Sequence, residues 1–249
     1  GGGILIGSYT HPKIENILIT GNSAADGGGI YIFHNSTPIL SNLTITNNVS
    51  VGGGGGGGIN FQVCSPILIN STISNNTAGN GGGIRGHSSN VIIDNVSIIG
   101  NSSAANGGGL IFDDGSNPTL TDVNISSNTA SGNGGGIYFQ NSDAILDNVK
   151  IYNNTAGNHG GGVLQSDGTN LGEDEVTYKN VIIASNNAQN GTELFLGFGT
   201  KSVFTNSIIY KDTLYNQDNR LIGTNPGTNI SLLHSVIWSN SGMIMNING

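Results

Sequence analysis

Four residues in two short stretches have the types that acid–base chemistry uses. Arg85 and His87 stand two apart, and Asp113 and Asp114 follow one structural period later. A histidine and a carboxylate about 5 Å apart on neighbouring strands could exchange a proton. An arginine beside them could hold an anionic group. A second acidic group, Asp167, Glu173, Asp174 and Glu175, lies in the stretch 167–175. Clustered carboxylates suit a hard cation such as Ca²⁺, but this spacing matches no calcium loop, so the expectation is a solvated insertion with no metal and no cofactor. The glycine run 52–58 would need a following helix and a lysine to cradle phosphate. Ile59-Asn60-Phe61 follows instead, which reads as a corner.

Whether those four side chains meet depends on a repeat. Gly-Gly-Gly followed by an aliphatic residue ends at Ile4, Ile30, Ile59, Ile84, Leu110, Ile137 and Val163, at spacings of 26, 29, 25, 26, 27 and 26 residues. A second signal, Ile-x-x-Asn or Asp, keeps step from Ile19/Asn22 through Ile98/Asn101 to Ile237/Asn240, with Ile209/Asp212 in the series. Each copy holds three short stretches of alternating character and has no room for a helix. The pattern predicts an all-β solenoid, a parallel β-helix of about nine coils of about 26 residues with three strands per coil, near 40–45 Å long. The chain reads as one domain: regular coils over 1–166, an insertion over 167–175, and less regular coils over 176–249.

In such a fold each residue lies over its counterpart one coil away, about 4.8 Å off. The third-strand column Ile19, Ile45, Ile73, Ile98, Ile125, Ile151, Ile183, Ile209, Ile237 is uniform, and the second-strand column runs Ile14, Leu40, Leu68, Ile93, Leu120, Leu146, Tyr178, Phe204, Leu232. Both are expected inside. Two asparagine columns, Asn22 through Asn240 and Asn16 through Asn206 (with His234 in the last place), are expected to ladder their amides at the corners. Ala24, Ala78, Ala130, Ala156 and Ala188 are expected to keep a turn thin. On the first strand, alignment puts Phe33, Gln62, His87, Asp113, Gln140 and Ser166 in one outward column. His34, Val63, Ser88, Asp114, Asn141 and Asp167 fall in the next. Arg85, His87, Asp113 and Asp114 should therefore share a patch beside Tyr138 and Gln140.

The alternation of Gly-Gly-Gly-[Ile/Leu/Val] with Ile-x-x-Asn resembles the repeats of the polymorphic outer membrane protein family, bacterial surface autotransporters and adhesins. More broadly the chain is similar to the pectin-lyase-like superfold. That resemblance implies a right-handed coil, in line with the general rule for parallel crossovers. It also implies an extracellular, secreted or cell-surface setting. Some members of the superfold cleave polysaccharides, so Arg85, His87, Asp113 and Asp114 would be the catalytic set of a lyase or glycoside hydrolase. The residue types are similar to those of polygalacturonase-like hydrolases, but there the paired aspartates precede the Gly-His, whereas here Arg85-Gly86-His87 comes first.

Composition narrows the function. Only 9% of residues are charged and the formal net charge is −8, with seven Lys and Arg, so nucleic acid and anionic membrane are poor partners. No apolar run reaches membrane-spanning length. Cys64 is the only cysteine, which excludes an intramolecular disulfide. The chain opens inside a copy of the glycine motif, so an upstream segment with any export signal is expected. The function expected from these features is a non-enzymatic structural or adhesive solenoid: a stalk, an adhesin or a filament subunit able to self-associate head to tail. Its partners would be carbohydrate or a host or cell surface. The alternatives are the polysaccharide-cleaving enzyme and an ice binder using Thr44, Thr46, Thr72 and Ser74. Phe195, Phe198, Tyr210, Tyr215 and Trp238 crowd the last coils and read as a terminal cap or a stacking platform for sugar rings.

Overall fold

The computed structural model describes residues 1–53, 55–167, 174–211 and 220–239. Among them all regular structure is β-strand, and every strand pair is parallel. The strands stack as a β-solenoid of about eight turns in three sheets. The first sheet has nine strands, from Ile4–Ile6 to Ile222–Thr224, one per coil. The second and third strands of each coil belong to one sixteen-stranded sheet. They fuse into single eight-residue strands at Ile67–Ser74 and Ile92–Ile99.

Register follows the columns. Ile45 pairs with Ile19 and Ile73, and Ile98 with Ile73 and Ile125. From Ile45 to Ile183 this column is wholly buried, as are Leu40, Leu68, Ile93, Leu120, Leu146, Tyr178 and Phe204 in the second. Each such side chain contributes about 1.5–3 kcal/mol by leaving water. Tyr178 and Phe204 stack inside at 4.3 Å, so the bulkier late coils still fill the same bore. Leu232, expected inside, is exposed. It lies in the outermost described coil and has a described neighbour, Phe204, on one face only.

Two corner expectations need correction. The small residues do not merely thin a turn: Ser23–Ala24, Val49–Ser50, Thr77–Ala78, Ser102–Ser103, Thr129–Ala130 and Thr155–Ala156 are two-residue strands of a third, six-stranded sheet. The second asparagine column is not a continuous amide ladder. Asn16, Asn42, Asn70, Asn95, Asp122, Asn148, Asn180, Asn206 and His234 all have φ between 49° and 57° and face solvent. Asparagine recurs there because it tolerates the left-handed conformation. Bonds between neighbours, such as Asn95 Nδ2 to Asn70 Oδ1 at 2.9 Å, are occasional.

The other asparagine column is a true ladder. Asn22, Asn48, Asn76, Asn101, Asn128, Asn154 and Asn186 each lie one coil apart. Every Nδ2 up to that of Asn154 donates to the next Oδ1 at 2.9–3.0 Å. The same oxygens accept the backbone N–H of the preceding rung. Asn48 and Asn101, both in Asn-x-Ser sequons, are buried rungs and inaccessible to a glycosylating enzyme. Asp212 and Asn240 lie outside the described residues. The third motif glycine is small because of this ladder: a Cβ on Gly83 would stand 2.7 Å from the Gly109 carbonyl oxygen and 3.1 Å from Asn101 Nδ2.

Candidate functional site

Strands Ile84–His87 and Leu110–Asp113 lie side by side with His87 opposite Asp113 and Arg85 opposite Ile111. Alternation turns Ile84, Leu110 and Phe112 into the core and Arg85, His87 and Asp113 outward. Gly86 sits between the two outward residues because Phe112 needs the room. A Cβ there would come within 2.5 Å of the Phe112 ring, which itself stacks on Phe139 at 6.1 Å.

All four expected residues come together. Arg85 donates to Asp113 Oδ2 from Nε at 3.1 Å, and its Nη2 lies 3.0 Å from the same oxygen. His87 Nδ1 lies 2.5 Å from Asp113 Oδ1 and 3.5 Å from Asp114 Oδ2. Asp113 is 8% exposed, whereas the Asp114 side chain, on a residue with φ of 52°, is 60% exposed. With the proton on Nδ1, the ring donates to Asp113 and presents Nε2 as an acceptor. Both carboxylates converge on one ring nitrogen. They do not flank an open gap, as the two acids of a glycosidase do. His87, Asp113 and Asp114 are also the one group of His, Cys, Asp or Glu among the described residues whose ligand atoms lie within 4.8 Å of each other, so these three could hold a divalent cation.

Beside the cluster, Tyr31 donates to Gln62 and stacks on Phe33 at 5.2 Å. On the other side Ile111, Tyr138, Leu164 and Phe195 form a small apolar group on the outer face, with the His159 ring 4.4 Å from that of Phe195. Burial pushes the Tyr138 hydroxyl's pKa up, and burial lowers that of His159. A shallow groove of about 340 Å³ opens elsewhere, between Pro118, Asp143, Ile145, Glu175 and Thr177, and includes none of the four cluster residues.

No family model, curated protein or solved structure matches this chain.

The acidic insertion does not assemble a cation site among the described residues. Asp167, Asp174 and Glu175 are described and Glu173 is not, and the described three form no ligand group. Asp174 is instead crowded. Burial, followed by the charges of Asp167 and Asp143, pushes its carboxyl up to about 6. Of the late aromatics, Tyr215 lies outside the described residues. Tyr210 and Trp238 stack at 4.9 Å with Trp238 exposed, and Phe198 is exposed.

One acid–base group escaped the sequence reading. Glu193 is 0% exposed, and it closes the asparagine ladder from within. Asn186 donates to it from its backbone nitrogen at 3.0 Å and from Nδ2 at 2.5 Å, as earlier rungs donate to the next asparagine. Lys211, 9% exposed, donates to the Asn186 carbonyl oxygen. Burial pushes the Glu193 carboxyl up to about 7, against the ladder amide and Lys211, which act to lower it. Burial likewise lowers the Lys211 amine, opposed by Glu193. The signal was available: with Leu194 opposite Val163, the stretch Gly191-Thr192-Glu193 stands where Gly160-Gly161-Gly162 stood. An acid in a column reserved for glycine has to put its side chain where the ladder runs.

Proposed function

We propose that this chain is a length of extracellular or cell-surface solenoid that serves as stalk, adhesin or filament subunit and performs no catalysis. The observation that carries this reading is the closure of the surface cluster on itself. Asp113 gives one oxygen to Arg85 and the other to His87, and Asp114 turns to the same ring nitrogen. Every acid there is engaged by a base of the same cluster, and the ligand atoms of His87, Asp113 and Asp114 lie within 4.8 Å of one another. The ladder from Asn22 to Asn186 and the uniform columns support a rod whose main property is persistence of shape. Exposed rings at Trp238 and Phe198 offer stacking surfaces for the carbohydrate of a cell surface. Leu5, Leu18, Leu232 and Leu233, exposed on the outermost described coils, suit contact with a further coil, including one from a second copy.

A polysaccharide-cleaving enzyme is the competing reading, favoured by one observation: a buried carboxylate orienting His87 leaves Nε2 as a base with Arg85 close by. One assay separates the two. Purified protein incubated with oligogalacturonides and alginate, with and without Ca²⁺, is expected to release no new ends, while a glycan array shows binding that Trp238→Ala weakens. Cleavage that His87→Ala abolishes would reverse the conclusion.

A further inference from the structure

Asn186 is the one ladder residue, among those described, that meets both an acid and an amine. Its Oδ1 accepts two N–H bonds, from the Asn154 backbone at 2.9 Å and from Asn154 Nδ2 at 3.0 Å. Its Nδ2 donates to Glu193 Oε2 at 2.5 Å and to the Ile151 carbonyl at 3.0 Å. The Lys211 amine donates to the main-chain carbonyl oxygen of the same residue. Asn186 and Glu193 are wholly buried, and Lys211 is 9% exposed.

These are the parts of an amide exchange: a nucleophile, a pair of donors where negative charge would develop, and an acid–base group on the leaving nitrogen. We propose that Lys211 and Asn186 join through an intramolecular isopeptide bond, with Glu193 carrying the protons. The lysine's end must first swing off the main-chain oxygen to the face of the carboxamide; there Glu193 takes a proton from its ammonium, and the freed Nζ attacks Asn186 Cγ. Charge gathers on Oδ1, which the two Asn154 N–H groups already hold. Of the three ammonium protons one stays on the new amide, and two pass by way of Glu193 to the leaving nitrogen. The Cγ–Nδ2 bond breaks, ammonium departs, and Glu193 ends ionised as it began. Nothing is oxidised or reduced, and no outside reactant is needed. Burial acts on both groups in the required direction, toward a neutral amine and a proton-bearing acid. Held in place by adjacent coils, the reactants gain the advantage of an intramolecular reaction. The product would be a covalent staple across the step between two coils, and it would form whether or not the chain is an adhesin.

The decisive measurement is the intact mass of the full chain after folding at neutral pH, followed by tryptic mapping. The expected wild-type result is a mass lower by one ammonia and a branched peptide that joins the Asn186 and Lys211 segments, uncut at Lys211. Lys211→Arg, which keeps the charge, and Glu193→Gln are both expected at full sequence mass. The wild-type map decides the matter even if a variant fails to fold. A wild type at full sequence mass overturns the proposal. So does an ammonia deficit without the branched peptide, which would mean a cyclised asparagine, and so does a deficit that persists in Lys211→Arg.

Discussion

Two clusters in this solenoid join an acid on one coil to bases on its neighbour, and they differ chiefly in where water reaches. At the surface Asp113 meets Arg85 and His87, and the side chains of its partners remain 22% and 28% exposed. Inside, Glu193 and Lys211 close the ladder at Asn186 with almost no exposure. Water and salt can replace a lost partner in the first cluster, so its members are worth little individually. Nothing can replace one in the second, so losing a member leaves a bare charge in the core. Similar chemistry thus yields a dispensable patch in one place and a structural necessity in the other.

Glu193→Ala should have the largest effect. It strips the acceptor from two Asn186 donors and the counter-charge from Lys211, and should lower unfolding stability by about 3–5 kcal/mol, read from urea midpoints. The pH dependence should follow. The Glu193 carboxyl is raised from its ordinary 4.5 to about 7, so between those values the unfolded chain has given up a proton that the folded chain keeps. Stability must then fall as pH rises from about 4.5 to about 7. Asp174, raised to about 6, adds a slope of the same sign. Glu193→Gln should remove the larger part of the fall, and a wild-type profile rising across this window would sink the assignment.

Gly86→Ala disturbs the seat of the surface cluster without touching its charges. The added methyl meets the Phe112 ring and should cost about 1–3 kcal/mol by denaturant titration. The smallest effect belongs to Asp113→Asn, which should cost about 1 kcal/mol at low salt and less as salt is added. If Asp113→Asn proved more damaging than Glu193→Ala, the surface cluster and not the buried one would be the structural necessity.

Much of the architecture was legible because a solenoid writes the same constraint once per coil. The isoleucine column, the ladder from Asn22 and the meeting of Arg85, His87, Asp113 and Asp114 all follow from vertical register, which spacing alone reveals. Conformation was harder to read than position. Asn42 and Asn48 look alike in sequence, yet one is held by its φ and the other by its amide, and residue type cannot separate those causes. Glu193 was hidden for a different reason. It belongs to a coil where the glycine motif fades, and its carboxylate accepts from Asn186 the bonds that earlier rungs give to the next asparagine. The third sheet went unseen because strands of two residues carry no periodicity.

The ladder has a consequence for how this rod tolerates change. Successive rungs are separated by 25 to 32 residues, yet each contact stays near 3.0 Å. Differences in coil length leave the seam untouched: it keeps its pitch even across the longest interval, from Asn154 to Asn186. Residues added to a coil away from that seam should likewise leave the spine undisturbed, much as a bracket hangs from a rail.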